Sequence, residues 1–297
     1  MSADSRNPTR SAEATSSVMA SAPTGPAVNG DASAQAAGSP RRSRTTVDVG
    51  PGRAMAGELT LPAGGPPPGG WPAVVVLSEA FGVTQEIREV ASRFADRGWA
   101  ALTPDFLSTG PSYVCLVRAM REAVSGRPGP VVTDLDTARR WLADRPEVDE
   151  RRITVIGFCL GGGLAMLLGG RAGIGVRAVS ANYGEPPRVE ALRGCAPVLA
   201  AYGSRDRMFA RKGPLLRERL AAAGVPGEVT VYPTAGHSFL TEPPSKRRHQ
   251  LAMLMVGPLL RPGQEPHAAA EAWERIWTWF DEHTGTEPDP APAAGNA

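Results

Sequence analysis

The residues of this chain best suited to chemistry are one cysteine, one aspartate and one histidine, each standing where an apolar run gives way to a loop. Cys159 lies in ITVIGFCLGGGLAMLL, residues 153–168, inside Gly157-Phe158-Cys159-Leu160-Gly161. That is the pattern glycine, any residue, nucleophile, any residue, glycine, in which a strand turns sharply into a helix and exposes the nucleophile at the turn. Glycines suit both sides because side chains there would collide with the strand and the incoming helix. The helix that begins at Leu160 turns its free amides and positive dipole end toward the sulfur, where they stabilise negative charge. The same residues have a structural alternative, since free cysteine is often buried and a glycine-rich junction can serve close packing or a dinucleotide. Gly161-Gly162-Gly163 lacks the dinucleotide register, however, and comes too late in the chain for an opening nucleotide-binding unit.

A cysteine nucleophile needs a base, and the base needs a group to orient it. Asp206 stands in GSRDR after the apolar run PVLAAY, and His237 stands in TAGHSF after EVTVYP. Alone, Asp206 would read as a turn residue. The chain order nucleophile, acid, histidine, each in a loop after a strand, is that of the α/β-hydrolases. The other histidines fit less well: His249 lies among charged residues, His267 opens a helix, and His283 is near the end of the chain. Those three read as surface residues, and Cys159, Asp206 and His237 read as a triad.

Such a triad requires strands whose carboxyl ends converge. RTTVDV and AMAGELTLP read as an opening pair of strands, with GGPPPGG as an exposed turn. WPAVVVLSE, WAALTPDF, ITVIGF, VRAVSANYG, PVLAAYGSRD and EVTVYPTAG read as further strands separated by helical segments. The continuously apolar ones suit a parallel sheet covered on both faces. TQEIREVASRFADRG carries a helical stripe of Ile87, Val90, Ala91 and Phe94 closed by Gly98. VVTDLDTARRWLADRPEV and AAAEAWERIWTWFDEH repeat the pattern, the latter with Trp273, Ile276, Trp277 and Phe280 inward. The expected fold is an α/β-hydrolase fold over residues 45–284, a mostly parallel central sheet with helices on both faces. Residues 1–44 and 285–297, rich in Ala, Ser, Pro and Gly, read as disordered tails.

The composition narrows the function. Thirty-two basic residues nearly balance 30 acidic ones, so there is no electrostatic footprint for nucleic acid or an anionic membrane. The short run Lys246-Arg247-Arg248 reads as a solvated loop. Three cysteines without metal-site spacing suggest neither a disulfide framework nor a metal centre. No apolar leader follows Met1, and LAMLMVGPLL is too short to span a bilayer. The expectation is a cytoplasmic protein without cofactor, metal, membrane or nucleic-acid partner.

The segments LSEAFGVTQEIREVASRFADRGWAALTPDF, GFCLGGG, YGSRDR and AGHSF together resemble the dienelactone hydrolase family, over about residues 45–284. The resemblance implies a Cys159-Asp206-His237 triad and a role for Glu79, in SEAFG, at the thiol: holding the resting sulfur neutral and taking its proton when substrate binds. It further implies an oxyanion hole from the backbone N–H groups of Ala80 and Leu160, with Phe81, Tyr183 and Phe239 lining the pocket. Two arginines that clamp a carboxylated lactone in the family are missing, and threonine (Thr109 and Thr241) stands at both places. Arg118 and Arg207 are the cations that could replace them. The stretch between Phe106 and Val131 holds Tyr113, Cys115 and Met120 and suggests an apolar cover. The implied activity is hydrolysis of a small ester or lactone other than dienelactone, through a thioester, by a monomer or homodimer. An acyl-transfer or ring-opening enzyme on the same site, or a non-catalytic binding or redox-sensing protein, are the alternatives.

Overall fold

The computed structural model describes residues 38–171, 173–241 and 265–285. Lys246-Arg247-Arg248, His249 and LAMLMVGPLL lie outside the described residues. Eight strands form one sheet: β1 (Arg41–Gly50), β2 (Arg53–Leu61), β3 (Trp71–Leu77), β4 (Ala100–Pro104), β5 (Val148–Phe158), β6 (Val176–Asn182), β7 (Val198–Gly203) and β8 (Gly227–Tyr232). Their order across the sheet is β1-β2-β4-β3-β5-β6-β7-β8. β1, β2 and β4 pair antiparallel, and every pair from β4 to β8 is parallel.

The patterning explains the positions. All seven residues of β3 are buried, as a central strand covered on both faces demands. β1 buries only Val47, which is the signature of an edge strand. β1 starts at Arg41, so residues 41–44 are strand rather than tail. Arg41 pairs with Leu61, and the Arg42 guanidinium donates to the Arg88 carbonyl and the Ser92 hydroxyl.

Seven helices are described: α1 (Gln85–Asp96), α2 (Ser112–Ser125), α3 (Pro130–Ala143), α4 (Leu160–Gly169), α5 (Val189–Leu192), α6 (Lys212–Ala223) and α7 (Pro266–Thr284). Consecutive strand residues point to opposite faces, and β5 shows which helices occupy which. The Phe158 ring lies 6.3 Å from that of Trp273 on α7, whereas Gly157 abuts Gly161 and Ala165 of α4. α7 packs its aromatic stripe against α1, with Phe94 edge-on to Trp277 at 4.6 Å and Trp273 stacked on Trp277 at 5.3 Å. Each of these rings removes enough apolar surface to contribute roughly 1.5–3 kcal/mol.

α2 has no counterpart among the sequence-predicted helices. Its buried residues are Cys115, Ala119, Glu122 and Ala123, so no large apolar stripe faces inward. Glu122 is nonetheless structural. Its carboxylate accepts from the backbone N–H groups of Gly129, Val131 and Val132 at 2.9–3.1 Å and so caps α3.

Candidate active site

Cys159 stands between β5 and α4 with φ 53° and ψ −114°, a conformation that non-glycine residues rarely adopt. Holding it costs on the order of 1–3 kcal/mol, and the surroundings enforce it. Its N–H donates to the Asn182 carbonyl at 3.0 Å and its carbonyl accepts from Gly162 at 3.0 Å. The glycines have specific reasons to be there. A Cβ on Gly157 would strike the Gly161 carbonyl, one on Gly161 the carbonyls of Leu77 and Ser78, and one on Gly162 the Asn182 carbonyl at 2.8 Å. The helix therefore starts in direct contact with β3, β5 and the end of β6, and the sulfur is left at the open end of the sheet.

Asp206 follows β7 in a tight turn and is fully buried. Its Oδ1 accepts from the N–H groups of Met208 and Phe209 at 3.0 and 3.1 Å, which leaves Oδ2 to meet His237 Nδ1 at 2.5 Å. The two loops are stitched together by the bond from Arg205 N–H to the Ala235 carbonyl, at 3.0 Å. The imidazole sits between the rings of Tyr183 and Phe209, each 5.0 Å away. Burial works against its protonation. The Cys159 sulfur and the Asp206 carboxylate together outweigh that penalty, and the imidazole pKa is raised to about 10. His237 Nε2 is buried with no formed hydrogen bond, so the one nitrogen free for proton transfer belongs to the side that interacts with Cys159.

These groups open on a cavity of about 340 Å³ lined by Glu79, Ala80, Phe81, Met120, Ala123, Val124, Cys159, Leu160, Glu185, Met208, Phe209, His237 and Ser238. The backbone N–H groups of Ala80 and Leu160 take part in none of the turn, loop or cap hydrogen bonds of the described chain, so both are available to a ligand. Among the described residues no group of three or more His, Cys, Asp or Glu is arranged to hold a metal ion. None of the described helices is long and apolar enough to cross a membrane.

Residues 59–284 match the model of the dienelactone hydrolase family. The chain belongs to the dienelactone hydrolase family. A Yersinia pestis protein provisionally named carboxymethylenebutenolidase is 29% identical over 240 residues, spanning 75% of this chain and 82% of the relative. The carboxymethylenebutenolidase of Rhodococcus opacus is 28% identical over 229 residues, spanning 71% and 81%. The crystal structure of a dienelactone hydrolase-like promiscuous phosphotriesterase from metagenomic libraries superposes with a TM-score of 0.68 at 25% identity, covering 84% of this chain and all of that one. The fold is the α/β-hydrolase fold, and the chain is a hydrolase of this family.

The structure brings Cys159, His237, Glu79, Ala80, Leu160 and Phe81 to one cavity, with Asp206 buried behind His237. It does not bring Tyr183 or Phe239 to the wall. Both are completely buried, in ring contact with each other at 5.9 Å, and Tyr183 packs beneath His237. They are core: the Tyr183 ring packs against the imidazole, and Phe239 packs against Tyr183 and Tyr232. Burial first, and then the Glu79 carboxylate, raises the Tyr183 hydroxyl well above its ordinary pKa.

Glu79 also departs from what the family resemblance implies. Its Oε1 accepts from Ser238 Oγ at 2.8 Å and Thr241 Oγ1 at 3.2 Å, and no hydrogen bond joins it to the sulfur. Ser238, with φ 57°, is turned to make that contact. Thr241 is thus a hydroxyl partner of Glu79. Thr109 instead faces Cys115, with Oγ1 3.4 Å from Sγ, and neither Arg118 nor Arg207 lines the cavity. Sequence reasoning missed Ala123, Val124, Glu185, Met208, Phe209 and Ser238 as wall residues. Only Ser238, beside the histidine, carried a sequence signal.

Proposed function

We propose that this chain hydrolyses a neutral carboxylic ester or lactone through Cys159. The observation that carries the reading is the meeting, at the carboxyl ends of β5, β7 and β8, of the elbow cysteine with a buried Asp206–His237 pair whose Nε2 has no other partner. In the first half-reaction Sγ attacks the carbonyl carbon with its proton held on His237 Nε2, whose pKa, raised to about 10, keeps the imidazole protonated at neutral pH. The carbonyl π electrons move onto oxygen, and the N–H groups of Ala80 and Leu160 stabilise that oxyanion. Collapse breaks the ester C–O bond. Nε2 protonates the leaving alkoxide, and a thioester remains on Cys159. A water molecule then gives a proton to Nε2 and adds to the thioester, and collapse releases the carboxylic acid and returns the sulfur to its place beside the protonated imidazole.

Asp206 acts throughout through Nδ1. It fixes the imidazole orientation and stabilises its charged form. Glu79, anchored on Ser238 and Thr241, is read here as a fixed negative charge beside the site, with His237 rather than Glu79 as the acceptor of the thiol proton. A fixed carboxylate that is already bonded to two hydroxyls is a poorer proton shuttle than an imidazole with a free nitrogen.

The test is turnover of p-nitrophenyl acetate by the wild type and by Cys159→Ala, with mass spectrometry of a quenched reaction. The expected result is a mass increment of one acetyl group on the peptide that carries Cys159 and loss of turnover in the variant. Undiminished turnover without Cys159 would refute the assignment.

A further inference from the structure

The large apolar side chains left exposed among the described residues are five: Tyr113 (73%), Val117 (63%), Met120 (49%), Val124 (70%) and Met208 (48%). They are not scattered. Met120, Val124 and Met208 stand on the rim of the catalytic cavity. Tyr113 and Val117 lie on α2 at the spacing 113, 117, 120, 124, which places all four on one face of the helix. The cavity wall therefore continues outward along α2 as a stripe of about 16 Å, at 1.5 Å per residue. Exposed Arg118 and Arg121 border it on the same helix. A contiguous apolar patch with a polar rim marks a binding surface.

Its shape selects the occupant. Four side chains in single file, ending at a nucleophile, offer far less than the roughly 800 Å² that a stable protein partner covers. They offer a track for a chain. The charges select its polarity: the acidic groups of the wall are Glu79 and Glu185, and the Glu185 carboxylate is already paired with Lys212 at 2.6 Å. No lysine or arginine is among the lining residues, and the His237 imidazole is already paired with Asp206. We infer that the substrates of this site are neutral esters carrying a long unbranched apolar chain, with the ester in the cavity and the chain laid along Met120, Val117 and Tyr113. This rests on the hydrolase reading above and names its substrate class.

A chain half-covered by an open groove should raise kcat/KM about twofold per added methylene, against the roughly fourfold of complete burial. The experiment uses the full chain and two substrate series below their aggregation concentrations: p-nitrophenyl alkanoates from acetate to dodecanoate, and n-alkyl butyrates from methyl to decyl. In at least one series kcat/KM should climb beyond six carbons. In the double variant Tyr113→Ser/Val117→Asn the ratio of long-chain to short-chain kcat/KM in that series should fall about tenfold. Both residues are exposed, so the variant has no packed core to lose, and a circular dichroism melt checks this.

A rate that is flat or falling beyond butanoate in both series overturns the inference. So does a long-to-short ratio that the double variant leaves unmoved. If the variant instead changes the sedimentation mass while the ratio stays constant, the stripe is a protein interface and the inference fails. Acetate turnover and its loss in Cys159→Ala test the hydrolase reading separately, whatever the chain-length result.

Discussion

Consider a substrate that carries a carboxylate into the cavity, such as mono-p-nitrophenyl succinate in place of p-nitrophenyl butyrate. The two have acyl groups of similar size, so charge is the main difference. A space of 340 Å³ is about 8 Å across, so a charge anywhere inside it lies within about that distance of Glu79. At an effective dielectric of ~20 and ~8 Å, two like charges repel by about 2 kcal/mol. Glu185 adds little, because Lys212 neutralises it at 2.6 Å. Taking the carboxylate partly out of water without a partner raises the cost further, while the open mouth and added salt reduce it. The balance predicts a ten- to thirtyfold lower kcat/KM for the succinate, at about 1.4 kcal/mol per tenfold. The assay is nitrophenolate release at fixed pH and two ionic strengths, with the gap narrowing at the higher one. Glu185→Gln, which frees Lys212, should shrink the gap. An anionic ester turned over as fast as the neutral one would refute the reasoning, and an unseen cation would have to serve the cavity.

Iodoacetamide should label Cys159 and abolish turnover while sparing Cys115 and Cys195, which are buried, the Cys195 thiol also being pushed up to about 12 by burial. Peptide mapping reads this directly, and inactivation with the label elsewhere would count against the nucleophile. Gly161→Ala forces a Cβ onto the carbonyls of Leu77 and Ser78 and should cost at least about 2 kcal/mol, visible as a lower urea midpoint. An unchanged midpoint would mean the elbow is looser than described. His237 gives a pH signature. Its folded-state pKa, raised to about 10, exceeds the ordinary value of 6.5, so the stabilisation is complete below pH 6.5 and lost as pH rises toward 10. Melting temperature between those limits should therefore fall more in the wild type than in His237→Gln, and parallel curves would show that the imidazole proton contributes nothing.

The fold was legible where burial is regular and local. β3 is apolar at almost every position because both its faces are covered, and α1 and α7 show their inward stripes plainly. The candidate triad was legible for a related reason: chain order and the strand-to-loop transitions are properties of the sequence, and the elbow glycines are forced by contacts that any side chain would violate. α2 escaped because it inverts the usual rule. Its inward face is small or polar, with Cys115, Ala119 and Ala123, and its large residues point out. The edge strand β1 escaped at its start, since pairing on one side only tolerates the three arginines and one serine of RRSR that composition assigns to a tail.

The orientation of side chains at the site was the least legible part, and the backbone explains why. Among the described residues the non-glycine positions with positive φ are Cys159 at 53°, Tyr183 at 43° and Ser238 at 57°. All three lie at the open ends of strands around the cavity, and each turns a side chain where an ordinary backbone would not. Cys159 presents its sulfur, Tyr183 folds its ring beneath His237 at 5.0 Å, and Ser238 reaches Glu79 at 2.8 Å. Glycine would mark such a position in a sequence, but glycine has no side chain to aim. Where the site needs both the strained backbone and a functional group, the residue type shows only the group, and the strain is supplied by contacts from distant strands. That is why Tyr183 reads as a pocket wall but serves as a floor under the imidazole. It is also why the partners of Glu79, 159 and 162 positions away in the chain, emerge only when β3 and the loop after β8 are brought together.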